Sequence, residues 1–221
     1  MKSKASRRWK VFVAIGCALL IAALALIIHN AVESANAEKY SKGALEKFAQ
    51  IVTERHPYIF SSSSQDISWE EYLASGGETE KTDPIVMIDG YYYIGMLEIP
   101  SLELELPVLA DWDYSKLAMS PCRFSGAAVT DDLVICAHNY KSHFGPLRWI
   151  KFDSDVYLTD VDGNIHHYIV DNIETLPPEN IEEMITAETS EGDDIWDLTL
   201  FTCTPGGSSR MAVRCVRVLD Y

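Results

Sequence analysis

The sequence has few cysteines and no close pair among them. Cys17, Cys122, Cys136, Cys203 and Cys215 make up the set, and none stand at the CxxC spacing used by zinc sites and dithiol redox centres. A disulfide scaffold is not expected, because 221 residues at 48% hydrophobic content can build their own core. Basic charge is also scarce. Lys and Arg total 18 against 33 Asp and Glu, for a net charge of −15, and Lys2, Lys4, Arg7, Arg8 and Lys10 crowd the N-terminal end. The rest of the chain is therefore strongly acidic, which repels phosphate and argues against nucleic acid as a partner. No spacing of the acids matches a calcium loop, and neither a metal nor a cofactor is expected. Also missing are an internal repeat, a second long apolar run and a regular strand–helix alternation. The last of these argues against a doubly wound parallel sheet.

What is present begins with an uninterrupted apolar run over residues 11–28, 18 residues long, enough to span a bilayer. Its basic flank predicts a cytoplasmic N-terminus and the body of the chain outside the cell. Ala35-Asn36-Ala37 resembles a signal-peptide cleavage site, but it lies far past the run, beyond His29 and Glu33. An uncleaved signal anchor is the reading adopted. Tyr40, Ala44, Leu45, Phe48, Ile51 and Val52 recur at helical spacing and predict a helix over residues 37–55, stopped ahead of Pro57. Residues 61–83 are polar and irregular, with a capping-box pattern at Ser68 to Glu71, and read as a linker or a flap. The expected division is a cytoplasmic tail at 1–10, a transmembrane anchor at 11–28, an extracellular helix and linker at 29–83, and a compact domain at 84–221.

That domain is rich in strand signals. Ile85 to Ile88 and Tyr91 to Leu97 flank an Asp89-Gly90 turn, and Leu102, Leu104 and Leu106 alternate with Glu103 and Glu105. Leu133 to Ala137 is a short apolar run ending at His138, and Leu198 to Thr202 is another ending at Cys203. Asp162-Gly163-Asn164 marks a hairpin, and Pro205-Gly206-Gly207-Ser208-Ser209 joins Cys203 to a last strand opening on Arg210. Short helices are expected at residues 114–119, 144–150 and 181–185, the last inside a loop over residues 173–194. The fold class is mainly β, a mixed or antiparallel closed barrel of seven or eight strands with short helices.

A thiol, an imidazole and a guanidinium, each at a strand end, suit acyl transfer. A cysteine nucleophile needs a base to make the thiolate and donors for the oxyanion. Spacing alone leaves open that Cys203 is a buried hydrophobe, His138 a packed strand end and Arg210 a solvated one.

Thr199-Leu200-Phe201-Thr202-Cys203 fits the TLxTC signature of the sortases, membrane-anchored cysteine transpeptidases of Gram-positive bacteria. Ala137-His138-Asn139 fits the family's histidine at the end of an apolar strand, with Ala in place of the common Gly, and Arg210 fits its arginine on the next strand. The resemblance covers about residues 91–218. It implies a sortase-type β-barrel in which Cys203 attacks an LPXTG-like sorting signal on a protein substrate and His138 acts as acid and base. Arg210 would hold the substrate backbone and oxyanion region, and Thr202 would add a hydroxyl or backbone donor. Asn139 would either orient the imidazole or cap the strand end. The acceptor would be an amine of a cell-wall precursor or a pilin lysine. The family's Cys–His pair is thought to be reverse-protonated.

Several neighbours compete for these roles. Arg214 has the strand parity of Arg210, and the family match favours Arg210. Cys136 and Cys215 read as packing residues, with Cys136 sharing parity with His138. Cys122 is expected in an exposed loop, and His143, His166 and His167 at the surface. Asp83-Pro84 is the only Asp-Pro and lacks the following aromatic of pilus-type lids; a class B-like or intermediate enzyme is implied. The competing functions are a cell-wall Cys–His hydrolase and a non-catalytic anchored β-domain. Hydrolases of that kind usually place Cys before His, the reverse of the order here. The two glycines after Cys203 are expected to shape a peptide groove.

Overall fold

Helical spacing in the N-terminal quarter of the chain produces one element rather than two. In the computed structural model, which describes residues 4–55, 82–186 and 196–218, helix α1 (Lys4–Arg55) runs unbroken for 52 residues, about 78 Å at the helical rise. The expected anchor and the expected helix over 37–55 are thus two stretches of one rod. Its first part is exposed and apolar enough to cross a membrane. Its second part lays Ala37, Ser41, Ala44 and Phe48 against the β domain, all buried. The stretch read as linker or flap lies outside the described residues up to residue 81. Asp83 does not behave as linker: its buried carboxylate accepts the backbone N–H groups of Ala128 and Val129 at 3.0 and 3.1 Å.

The nine described strands form one sheet: β1 (Val86–Ile88), β2 (Tyr91–Ile99), β3 (Leu104–Leu109), β4 (Cys122–Ser125), β5 (Leu133–Cys136), β6 (Asp155–Asp160), β7 (Ile165–Leu176), β8 (Leu198–Cys203) and β9 (Arg210–Arg217). Their order is β1-β2-β3-β4-β5-β8-β9-β7-β6, and a further β2–β6 pairing closes eight of them into a barrel. The short β1 adds a ninth at the edge, paired only to β2. Pairing is antiparallel except for β3–β4 and β5–β8. Leu97, Ile99, Leu133, Ile135, Leu158, Leu198, Leu200 and Val213 fill the interior. A second cluster, including Phe48, Leu109, Cys122, Val134, Cys136 and Phe201, covers the outer face of several strands. Strands β5 and β8 are buried on both faces, which is why they read as continuous apolar runs and not as alternations.

Three expectations need correction. The start of the loop expected over residues 173–194 is strand: β7 runs to Leu176, because it pairs with β9 as far as Leu176 opposite Arg210, across a register shift at Val170/Asn172. The short helix α3 (Ile181–Ile185) lies where expected, as does α2 (Tyr114–Leu117) earlier in the chain. Cys122 is not in an exposed loop. It opens β4, fully buried and opposite Cys136.

His143 is not at the surface either; it is completely buried beneath α1, with Nε2 3.4 Å from the Ser41 hydroxyl. Burial, with a smaller contribution from His138, lowers its imidazole to about 4. A histidine held neutral in this way stabilises the fold fully above its unfolded value near 6.5. That stabilisation is lost as pH falls toward 4, because the unfolded chain takes up a proton that the native chain refuses. Denaturant unfolding at pH 7 and pH 5 is expected to show a drop of about 2 kcal/mol that His143→Gln removes. Equal pH slopes in the two proteins would refute it.

Candidate active site

Three neighbouring strand ends supply the chemistry. The parallel pair β5–β8 sets Cys136 beside Phe201. Two residues further along each chain, at the same end of the barrel and with the same parity, come His138 and Cys203. In the antiparallel pair β8–β9, Cys203 stands directly opposite Arg210, so their side chains share a face at cross-strand distance. The strand order β5-β8-β9 therefore puts the thiol between the imidazole and the guanidinium. All three line one open groove of about 260 Å³.

The other walls of that groove were not legible beforehand. Trp112 and Tyr114, around α2, and Phe124 from β4 form an aromatic side with Phe201. Trp112 stacks on Phe124 at 5.2 Å, and Phe124 meets Phe201 edge-on at 5.2 Å. Pro178, Ile181 and Met184 line the groove as well. Trp112 sits between two aspartates in a stretch without apolar period, so nothing local marked it as groove-lining. A second cavity of about 110 Å³ also reaches Cys203, bordered by Asn139, Phe144, Arg148, Thr204, Pro205 and Met211.

The cysteines differ sharply in state. Cys122, Cys136 and Cys215 are buried, and desolvation pushes each thiol up, Cys136 to about 12. Cys203 alone of the four described body cysteines is partly exposed. Cys136 borders the groove, but its burial holds it as an unreactive thiol. His138 is half-buried, and desolvation lowers its imidazole while the Glu33 carboxylate on α1 opposes that shift.

Arg210 bonds the carbonyls of Gly207 and Ser209 at 3.3 and 3.2 Å. Its guanidinium is thus held by its own loop and remains partly exposed at the groove. Arg214, its parity rival, is buried and committed to structure. It bonds Glu174 at 2.7 Å, Thr199 at 2.9 Å and the carbonyls of Glu183 and Met184, and lies over the Trp196 ring. Thr202 points inward, and its hydroxyl donates to the Ala137 carbonyl at 2.8 Å. The hydroxyl expected beside the nucleophile is therefore used to tie β8 to the strand end that carries His138. Asn139 reaches the Thr204 carbonyl at 3.4 Å and links the loops after His138 and Cys203.

Two glycine sites bear on this arrangement. A Cβ on Gly145 would come within 2.6 Å of the Asn139 and Tyr140 carbonyls, so glycine is needed where the loop after His138 folds back on itself. Gly206 and Gly207 have φ of +87° and +75° in open space. Backbone conformation calls for glycine at both, and Pro205 of the same loop borders the smaller cavity at Cys203.

His166 and His167 lie on β7 far along the chain from this site, beside Asp160 and Asp155. Asp83-Pro84 is at the barrel end opposite the groove, since Asp83 holds the segment that precedes β5 whereas His138 follows that strand.

Known proteins agree with this geometry. The sortase-domain family model matches residues 97–218. No curated protein sequence matches the chain. Among solved structures, the Clostridium perfringens sortase D5 transpeptidase aligns with a TM-score of 0.55 at 16% identity, over 82% of this chain and 99% of its own. Streptococcus pneumoniae sortase C aligns at 0.54 and 22%, over 80% and 97%, and Streptococcus agalactiae sortase C1 at 0.51 and 21%, over 80% and 90%. At these identities the structural likeness is one of fold. The family model covers more than half of the chain, including all three strand ends at the groove, and the chain belongs to the sortase family of cysteine transpeptidases.

Proposed function

We propose that this sortase cleaves an LPXTG-like sorting signal and joins the acyl product to an amine of the cell wall or of a pilin. The observation that carries the reading is the shared groove of His138, Cys203 and Arg210. Cys203 is the nucleophile. Its sulfur attacks the scissile carbonyl, the C–N bond breaks, and His138 gives its proton to the leaving amine. The incoming amine then attacks the thioester and passes a proton to His138. The C–S bond breaks and thiolate is restored. Arg210 offers a permanent charge to the oxyanion and the substrate backbone. The aromatic wall of Trp112, Phe124 and Phe201 suits an apolar stretch of donor peptide, and the smaller cavity at Asn139 and Arg148 gives the acceptor its own approach.

The apolar part of α1 serves as a single-pass anchor, with the basic N-terminal end in the cytoplasm and the barrel outside. The functional unit is the barrel of residues 84–221 together with the second part of α1. The test is mass spectrometry of the full chain incubated with a library of sorting-signal peptides and defined amines. New amide products that require both an LPXTG-like peptide and an amine are expected. Peptide hydrolysis unaffected by amine would refute transfer and favour a hydrolase.

A further inference from the structure

The anchor helix does more than tether. On α1, Glu33, Ala37, Ser41, Ala44 and Phe48 follow one another at spacings of three and four, so they share a face. Glu33 and Ser34 are half-buried, whereas Ala31, Val32, Ala35 and Asn36 are exposed. The helix therefore meets the barrel first at Glu33. It meets it at the loop that follows His138: Ser142 donates its hydroxyl to the Ser34 carbonyl at 3.1 Å. One turn-pair further along, the Ser41 hydroxyl bonds the Met119 carbonyl at 3.0 Å and approaches His143 Nε2. The ring of Tyr140 lies 4.9 Å from that of His138 and 5.6 Å from that of His143. A continuous contact thus runs from α1 through this loop to the imidazole.

Resting on the reading of His138 as the general acid and base, we infer that Glu33 is a positioning residue for His138, supplied by the membrane-anchoring helix, that sets a negative charge beside the imidazolium. Several groups face His138. Cys203 and Arg210 line its groove from β8 and β9. Tyr140 and His143 follow it in the same loop. Lys141, also in that loop, acts on Glu38, which is already paired with Lys42 at 2.6 Å. Glu33 is the half-buried carboxylate where α1 first meets this loop, next to the Ser34–Ser142 bond, and its charge favours the His138 imidazolium and the protonated Tyr140 phenol. Burial disfavours the imidazolium, and a carboxylate on the adjoining helix offsets part of that penalty. The leaving amine needs its proton from this imidazolium, so the charge bears on the chemical step rather than on folding alone.

The experiment uses the full chain in detergent. In a Cys203→Ala background, the His138 imidazole is titrated by NMR with and without Glu33→Gln. The substitution removes a negative charge, so the midpoint is expected to move to lower pH by about half a unit or more. Glu33→Asp should keep the midpoint near that of the parent. With Cys203 restored, Glu33→Gln should lose about threefold in transpeptidation above the imidazole midpoint and nothing well below it. An unchanged NMR midpoint overturns the inference, as does an activity loss that is the same at every pH, since that is the mark of packing alone. If the parent chain transfers no acyl group, the transpeptidase reading fails, and the NMR midpoint still decides the role of Glu33.

Discussion

Replacing Cys203 by alanine is expected to abolish thioacyl formation and lower acyl transfer by at least about a thousandfold, with the barrel intact. No other thiol of the barrel can take over. Cys136 borders the same groove, but its sulfur is buried and its thiol held up to about 12. Cys122 and Cys215 are enclosed and shifted the same way. The rate should be followed with a sorting-signal peptide and an amine, and the covalent intermediate by mass spectrometry of intact protein. A charged alkylating agent at neutral pH should label Cys203 ahead of the buried body cysteines and should label nothing in the barrel of the variant. Equal turnover in the variant and the parent would end the assignment of Cys203 as nucleophile.

Replacing Arg214 by methionine is expected to destabilise the fold by on the order of 3 kcal/mol, even though the new side chain is of similar length. Arg214 is almost fully buried and joins four partners: the Glu174 carboxylate, the Thr199 hydroxyl and the carbonyls of Glu183 and Met184. Methionine would leave these acceptors without a donor in a place that water reaches poorly. Because Glu183 and Met184 belong to α3, the loss also loosens the wall of the groove that carries Ile181 and Met184. The corresponding change at Arg210 should behave oppositely, with stability close to that of the parent and transfer strongly reduced. Denaturant midpoints beside transfer rates separate the two arginines. A stable Arg214→Met protein with unaltered midpoint would show that this network contributes little.

These expectations show which features could be read from the chain and which could not. The strand periodicities, the turn residues at Asp89-Gly90 and Asp162-Gly163, and the apolar runs ending at His138 and Cys203 all reflect interactions between near neighbours, and the structure bears them out as elements. Sequence pattern alone reached only the first half of β7, as far as Val170, because its last residues are strand only through pairing with β9. Cys122 and His143 were misplaced for a related reason. Each lies in a short polar context, and its burial depends on a partner distant in sequence: β5 for Cys122 and α1 for His143.

By itself, the sequence determined the long apolar run, the β-rich class and the Cys–His–Arg motif in its order along the chain. Each is encoded in local composition or in a short pattern, and needs no knowledge of what packs on what. Only the tertiary structure decided which arginine reaches the groove. Arg210 and Arg214 share parity on one strand, and burial under α3 and Trp196 separates them. Only the tertiary structure brought Trp112, Phe124 and Phe201 into one wall, and docked α1 against the loop of His138. Such contacts arise from barrel closure and helix docking, which join residues far apart in the chain and leave no period in the sequence between them.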